Sequence, residues 1–207
     1  MMLRLPRTFY QRPATEVAPD LLGKLLVHQT DLGLRIGRIV EVEAYLGRED
    51  LAAHSSKGVT PRTQVMFGEA GHAYVYLIYG MHHCMNVVTG PAGSGSAVLL
   101  RALEPVQGLD CDTRGPGRLA RAMGVDKRHY GTDLCTSGST LHLADDGHVI
   151  QHVSTSARIG VHYAGEWADK PLRFYAAGSK WVSKAPSSRA KSGTAKKPLA
   201  HTKKFVL

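Results

Sequence analysis

The run Val40-Glu41-Val42-Glu43-Ala44-Tyr45 sets two carboxylates and a phenol at alternate positions. Side chains of an extended strand point to opposite faces in turn, so Val40, Val42 and Ala44 share one surface and Glu41, Glu43 and Tyr45 the other. Two acids on one surface are the equipment for hydrolysing a glycosidic bond, one moving a proton and one meeting the charge that develops on the sugar. The same spacing also describes solvated acids on an exposed sheet face, and the pair alone does not separate the two readings. Arg101 is a second chemical candidate. It interrupts the apolar run from Ala97 to Leu103, where alternation groups it with Leu99 and Leu103, and such a guanidinium needs an anionic partner. Two other patterns carry less. The loop from Gly90 to Gly95 lacks the Gly-Lys-Ser/Thr ending of a phosphate-binding loop, and His82-His83-Cys84 sends neighbouring ligands to opposite strand faces, so no metal site is expected.

These residues need a scaffold, and its elements are visible in the pattern. The acids lie in a strand spanning Leu34 to Tyr45. The β-forming run from Tyr74 to Tyr79 stops at Gly80, and Cys84 to Val88 can return beside it as a hairpin. Pro13-Ala14-Thr15, followed by Glu16, Val17, Ala18, Leu21 and Leu22, predicts a short capped helix closed by Gly23. A second helix is expected over Gly117 to Val125 behind Pro116, and a late strand over Arg173 to Tyr175. Strands neither alternate regularly with long helices nor fill the chain. The fold class expected is therefore α+β, a single domain around a curved, mostly antiparallel sheet with flanking helices and a protruding β-hairpin.

The 207 residues suffice for one sizeable core. No apolar run is long enough to span a bilayer, the N-terminus has no secretory core, and the three cysteines form neither a disulfide framework nor a zinc knuckle. A cytoplasmic protein with reduced thiols follows. The formal charge of +9 is uneven, because residues 184–207 hold 7 of the 26 Lys and Arg and no acid, leaving 19 basic against 17 acidic residues before them. A domain over residues 1–183 and a basic, disordered tail over 184–207 are expected, the tail being either a plain solvated end or a phosphate-contacting arm.

The ordered composite Val40-Glu41-Val42-Glu43-Ala44-Tyr45-Leu46-Gly47, Ala52-Ala53-His54-Ser55, Met66-Phe67, Tyr74 to Met81 with Met85-Asn86, and Val98 to Pro105 resembles the alkyladenine (3-methyladenine) DNA glycosylase family. Arg118-Leu119, Arg158-Ile159-Gly160-Val161, Ala164-Gly165-Glu166-Trp167 and Pro171-Leu172-Arg173-Phe174 extend the likeness over nearly the whole body. The resemblance implies a base-excision-repair enzyme that acts as a monomer, without a cofactor, on double-stranded DNA containing damaged purines. It implies Glu43 as general base toward water, with Arg101 fixing carboxylate and water. It also implies Tyr45, His54 and Tyr76 as the walls around a flipped base, and Asn86 as the group that crowds the amino substituent of normal guanine. The main-chain carbonyl of Ile159 becomes a water contact, and Tyr79 the ring that enters the duplex. His82-His83 departs from the aromatics of vertebrate relatives and makes the neighbouring groove more polar. The competing reading is a catalytically silent DNA- or RNA-binding module of related fold; a carbohydrate-active hydrolase is disfavoured by the presence of only two tryptophans.

Overall fold

The longest strand of the protein is the one that carries the carboxylates. The computed structural model describes residues 1–183, and the tail expected over 184–207 lies outside the described residues. In chain order the elements are β1 (Leu3–Arg4), α1 (Arg7–Tyr10), α2 (Ala14–Leu21), β2 (Leu25–Thr30), β3 (Gly33–Tyr45), β4 (Ala73–Ile78), β5 (His82–Thr89), β6 (Ser96–Gln107), α3 (Pro116–Met123), β7 (Leu141–Asp145), β8 (Val153–Ser156) and β9 (Arg173–Ala176), with 3-10 turns between them. The strands form one open antiparallel sheet in the order β1-β7-β2-β3-β6-β5-β4, while β9 joins the C-terminal half of β3 and carries β8 beside it. This is the α+β class expected, built on one main core.

The helices cover one face of the sheet. Val17, Ala18 and Leu21 of α2 and Leu119, Ala120 and Met123 of α3 pack against Val42, Ala44, Val75, Met85, Val87, Val98 and Leu100. Full burial of a Val or Leu side chain stabilises by about 1.5–3 kcal/mol, so this layer holds the helices down despite their shortness. The α2 helix has Pro13 at its N-terminal boundary and no side-chain cap, contrary to the expected capping; Glu16 in the first turn is its favourable contact with the helix dipole. Gly23 follows the helix at φ +88, where a Cβ would meet the His148 carbonyl at 2.9 Å, and its N–H pairs with Ile39.

The opposite face belongs to the residues of chemical interest, and two β-bulges set it. The ladder of β3 and β6 pairs Ile39 with Leu103, Glu41 with Ala102 and Val42 with Leu100, so Val40 is an extra residue on one strand and Arg101 on the other. Simple alternation therefore fails at both places. Val40 leaves the face of Val42 and Ala44 and packs with Ala102, Ala176 and Trp181. Leu103 parts from Arg101 and Leu99 and joins Leu100 in the main core. Neither Glu41 nor Glu43 is a solvated surface acid, since both are fully buried.

Candidate active site

Two buried acids in one strand need their charges answered, and the sheet supplies the answer from distant segments. Glu41 Oε1 accepts from Arg101 Nε at 2.8 Å, from Arg173 Nε at 2.8 Å and from Ser183 Oγ at 2.8 Å, and Oε2 accepts from the Ser183 N–H at 2.6 Å. Burial pushes the Glu41 carboxyl up, but the Arg101 charge and the bonds from Arg173 and Ser183 outweigh it and hold the group below the usual carboxylate range. Glu41 is thus a structural anion that fixes Arg101.

Glu43 is held differently. Its Oε1 accepts the Ile159 N–H at 2.7 Å and lies 3.2 Å from Arg101 Nη1, while Oε2 accepts the Tyr45 hydroxyl at 2.9 Å. Ile159 reaches it because the preceding Arg158 is locked to Asp50 in a fully buried two-pronged pair at 2.6 and 2.8 Å. Asp50 in turn accepts the N–H groups of Leu46 and Ala52, and Arg158 donates to the Ala44 carbonyl, tying the end of β3 to the 158–161 loop.

In front of this carboxylate opens a cavity of about 390 Å³ lined by Tyr45, His54, Tyr76, Tyr79, Asn86, Arg101 and Ile159 among others. Every residue that the sequence singled out for the site lines it except Glu43, which stands directly behind its wall, in contact with Tyr45, Arg101 and Ile159. Asn86 Nδ2 donates to the Tyr74 carbonyl at 3.1 Å, which assigns the amide and fixes the side chain against the cavity wall. His54 Nδ1 pairs with the Tyr74 hydroxyl at 2.8 Å, and the His54 and Tyr76 rings meet edge to face with centroids 4.6 Å apart. Tyr74, Met66, Cys84, Leu99 and Tyr163 also line the cavity and were not singled out from the sequence. Tyr74 was within reach: two residues before Tyr76 on the same strand, it had to share that face. Arg173 likewise, an arginine between Leu172 and Phe174, calls for an anion by the logic applied to Arg101.

The hairpin of β4 and β5 ends at the cavity's edge. Tyr79 is 85% exposed, and it is the one non-glycine residue at positive φ among the described residues, at +52 beside Gly80 at +68. Positive φ at both central residues, with Met81 N–H bonded to the Ile78 carbonyl, makes a primed turn whose twist suits the two strands. A tyrosine there costs about 1 kcal/mol or more relative to the usual Asn or Gly, so the fold alone does not call for it.

Burial lowers the His54 imidazole to about 4, assisted by the Arg62 and Lys57 charges, and burial with Arg4 lowers His142 to about 4. Both are neutral at pH 7. The unfolded chain takes up these protons near pH 6.5 and the folded chain only near pH 4, so the stability present above pH 6.5 should fall as pH drops toward 4. Urea midpoints measured across that range should decline, and a His142→Gln variant should decline less. Equal slopes for both proteins would exclude His142 as a contributor.

The chain matches the family described as methylpurine-DNA glycosylase over residues 8–180. It belongs to that family. It is 56% identical over 185 residues to a protein of Myxococcus xanthus, covering 88% of this chain and 94% of that one. A Legionella pneumophila protein (strain Lens) is 55% identical over 184 residues, 88% of this chain and all of that one. Both relatives carry names that provisionally assign them as 3-methyladenine DNA glycosylases. Family membership makes the chain a glycosylase of DNA base excision repair, a hydrolase. Among the described residues, no three His, Cys, Asp or Glu side chains gather as a metal site, and no helix is long and apolar enough to cross a membrane.

Proposed function

We propose that this glycosylase takes alkylated or deaminated purines out of double-stranded DNA and hydrolyses the bond to deoxyribose, leaving an abasic site and an intact strand. The observation that carries the reading is Glu43, held by Tyr45, Arg101 and Ile159 immediately behind an aromatic-walled cavity large enough to admit a nucleobase. In this reading 3-methyladenine, 7-methylguanine, hypoxanthine or ethenoadenine lies between Tyr45, His54 and Tyr76. Cationic purines gain from the aromatic faces, and neutral ones from a hydrogen bond to His54. Asn86 meets the extra amino group of guanine and keeps the normal base out.

Glu43 then accepts the proton of a water directed at the anomeric carbon and stabilises the positive charge growing on the sugar. Ile159 contributes twice, its N–H orienting Glu43 and its carbonyl orienting the water. An alkylated purine leaves readily, so one carboxylate suffices; among the described residues no lysine lines the cavity to form the Schiff base that strand scission would need. Lys57, and Arg114 and Arg118, which also bridge to Asp112, lie in depressions next to the cavity and offer contacts to phosphates. The protein works as a monomer, among whose exposed groups Tyr79 fills the space that the flipped nucleotide vacates.

Release of free base from duplexes carrying one defined lesion, without added metal, tests the whole reading. Retained binding to abasic DNA with no release would favour the silent binding module instead. The wedge has its own test. In Tyr79→Asn, the Asn-Gly pair is the preferred sequence for this turn, so urea unfolding should show unchanged or slightly higher stability, by up to about 1 kcal/mol. Lesion-duplex affinity should nevertheless drop by roughly tenfold or more, as expected from losing one stacked ring. Unchanged affinity would remove Tyr79 from the interface.

A further inference from the structure

Two of the tyrosines that line the cavity, Tyr45 and Tyr76, carry an arginine on a ring face. Arg158 Cζ lies 4.6 Å from the Tyr45 ring centroid and Arg62 Cζ lies 5.1 Å from that of Tyr76. Neither arginine lines the cavity. Arg158 is buried behind it, and Arg62 stands in outer depressions that it shares with His54 and Lys57 on one side and with Tyr76 and Tyr130 on the other. The two differ in one respect. The Arg158 charge is matched by Asp50, whereas Arg62 has no carboxylate within 4.0 Å among the described residues.

A cation on the outer face of an aromatic ring draws down the negative potential that the inner face offers. Dispersion and hydrophobic contact with a neutral purine are unaffected by that charge, while a purine bearing a formal positive charge is repelled through a low-dielectric wall. His54, which burial already keeps neutral, feels the Arg62 charge in the same direction. We infer that Arg62 determines specificity from outside the cavity, biasing the site toward neutral damaged purines and against formally cationic ones. The inference rests on the proposed base-flipping reading and adds to it a residue that does not touch the base.

The test is a comparison of ratios. Wild type, Arg62→Gln and Arg62→Lys are assayed in single turnover, with saturating enzyme and fixed salt, on identical duplexes carrying either hypoxanthine, which is neutral, or 7-methylguanine, which is cationic. Dividing each variant's 7-methylguanine to hypoxanthine ratio by that of wild type cancels the intrinsic reactivity of the two leaving groups. Arg62→Gln should raise this quotient by roughly 3- to 10-fold, modest because the guanidinium is exposed and screened. Arg62→Lys, which keeps the charge, should stay within about twofold of wild type.

A quotient unchanged in Arg62→Gln, with both rates falling together and a shallower salt dependence of duplex binding, would overturn the inference and make Arg62 a phosphate contact. A quotient raised equally by lysine would also overturn it, since charge would not be the cause. Wild type that releases neither base would instead remove both lesions from the proposed substrate range, and this inference with it.

Discussion

Glu43→Gln should cut single-turnover base release by roughly 10²- to 10⁴-fold, the range lost when a positioned proton-transfer group is removed. The substitution is nearly isosteric, and the hydrogen-bond pattern dictates how it is accommodated. Arg101 and the Ile159 N–H both approach Oε1, so the amide oxygen must take that place, leaving the amide nitrogen to donate to the Tyr45 hydroxyl oxygen. Arg101 keeps Glu41 as its anion. The cavity should therefore survive, and affinity for an abasic-site analogue should stay within a few fold of wild type. Excision of 3-methyladenine at near wild-type rate would end the case for water activation at this residue. Loss of both excision and abasic-site binding would point to a collapsed site instead.

Glu41→Ala should act on the fold. Removing this anion leaves Arg101 with Glu43 alone, and Arg173 with the Ser156 hydroxyl and the Ser183 carbonyl, in positions from which neither guanidinium reaches water freely. Stripping one partner from a buried ion pair costs about 3–5 kcal/mol, a large share of the about 5–15 kcal/mol that holds a typical domain together. Urea unfolding with an unchanged m-value should show a loss of that size. A loss under about 1 kcal/mol would mean that the arginines find other partners. Acid should reproduce the effect: because the folded Glu41 carboxyl lies below its usual range, its contribution is present above that range and is lost as pH falls through the depressed value.

Much of this arrangement is legible in the amino-acid sequence, for reasons that differ residue by residue. The strand carrying Glu43 and Tyr45 showed in period-two alternation, and the hairpin in a β-rich run broken by Gly80. Arg101 showed because a charge in an apolar strand has to be answered. The bulges at Val40 and Arg101 did not show, since each depends on how two strands sixty residues apart settle against each other. The burial of Glu41 was hidden for the same cause: its partners Arg173 and Ser183 lie 132 and 142 residues away. Nor could alternation tell that Ile159 meets Glu43 through its N–H, because that contact depends on Arg158 and Asp50 anchoring a loop with no periodicity of its own.

The two bulges also cancel. Ile39 with Leu103 and Val42 with Leu100 lie on one continuous register, so the detour around Glu41 begins and ends in step. Each extra residue re-aims side chains locally, and the second repays the offset of the first before it can propagate. The sheet therefore behaves like a frame with an adjustable insert: what is mounted at the centre can be rotated without disturbing the strands on either flank. Tolerance and precision are thus assigned to different stretches of one pair of strands.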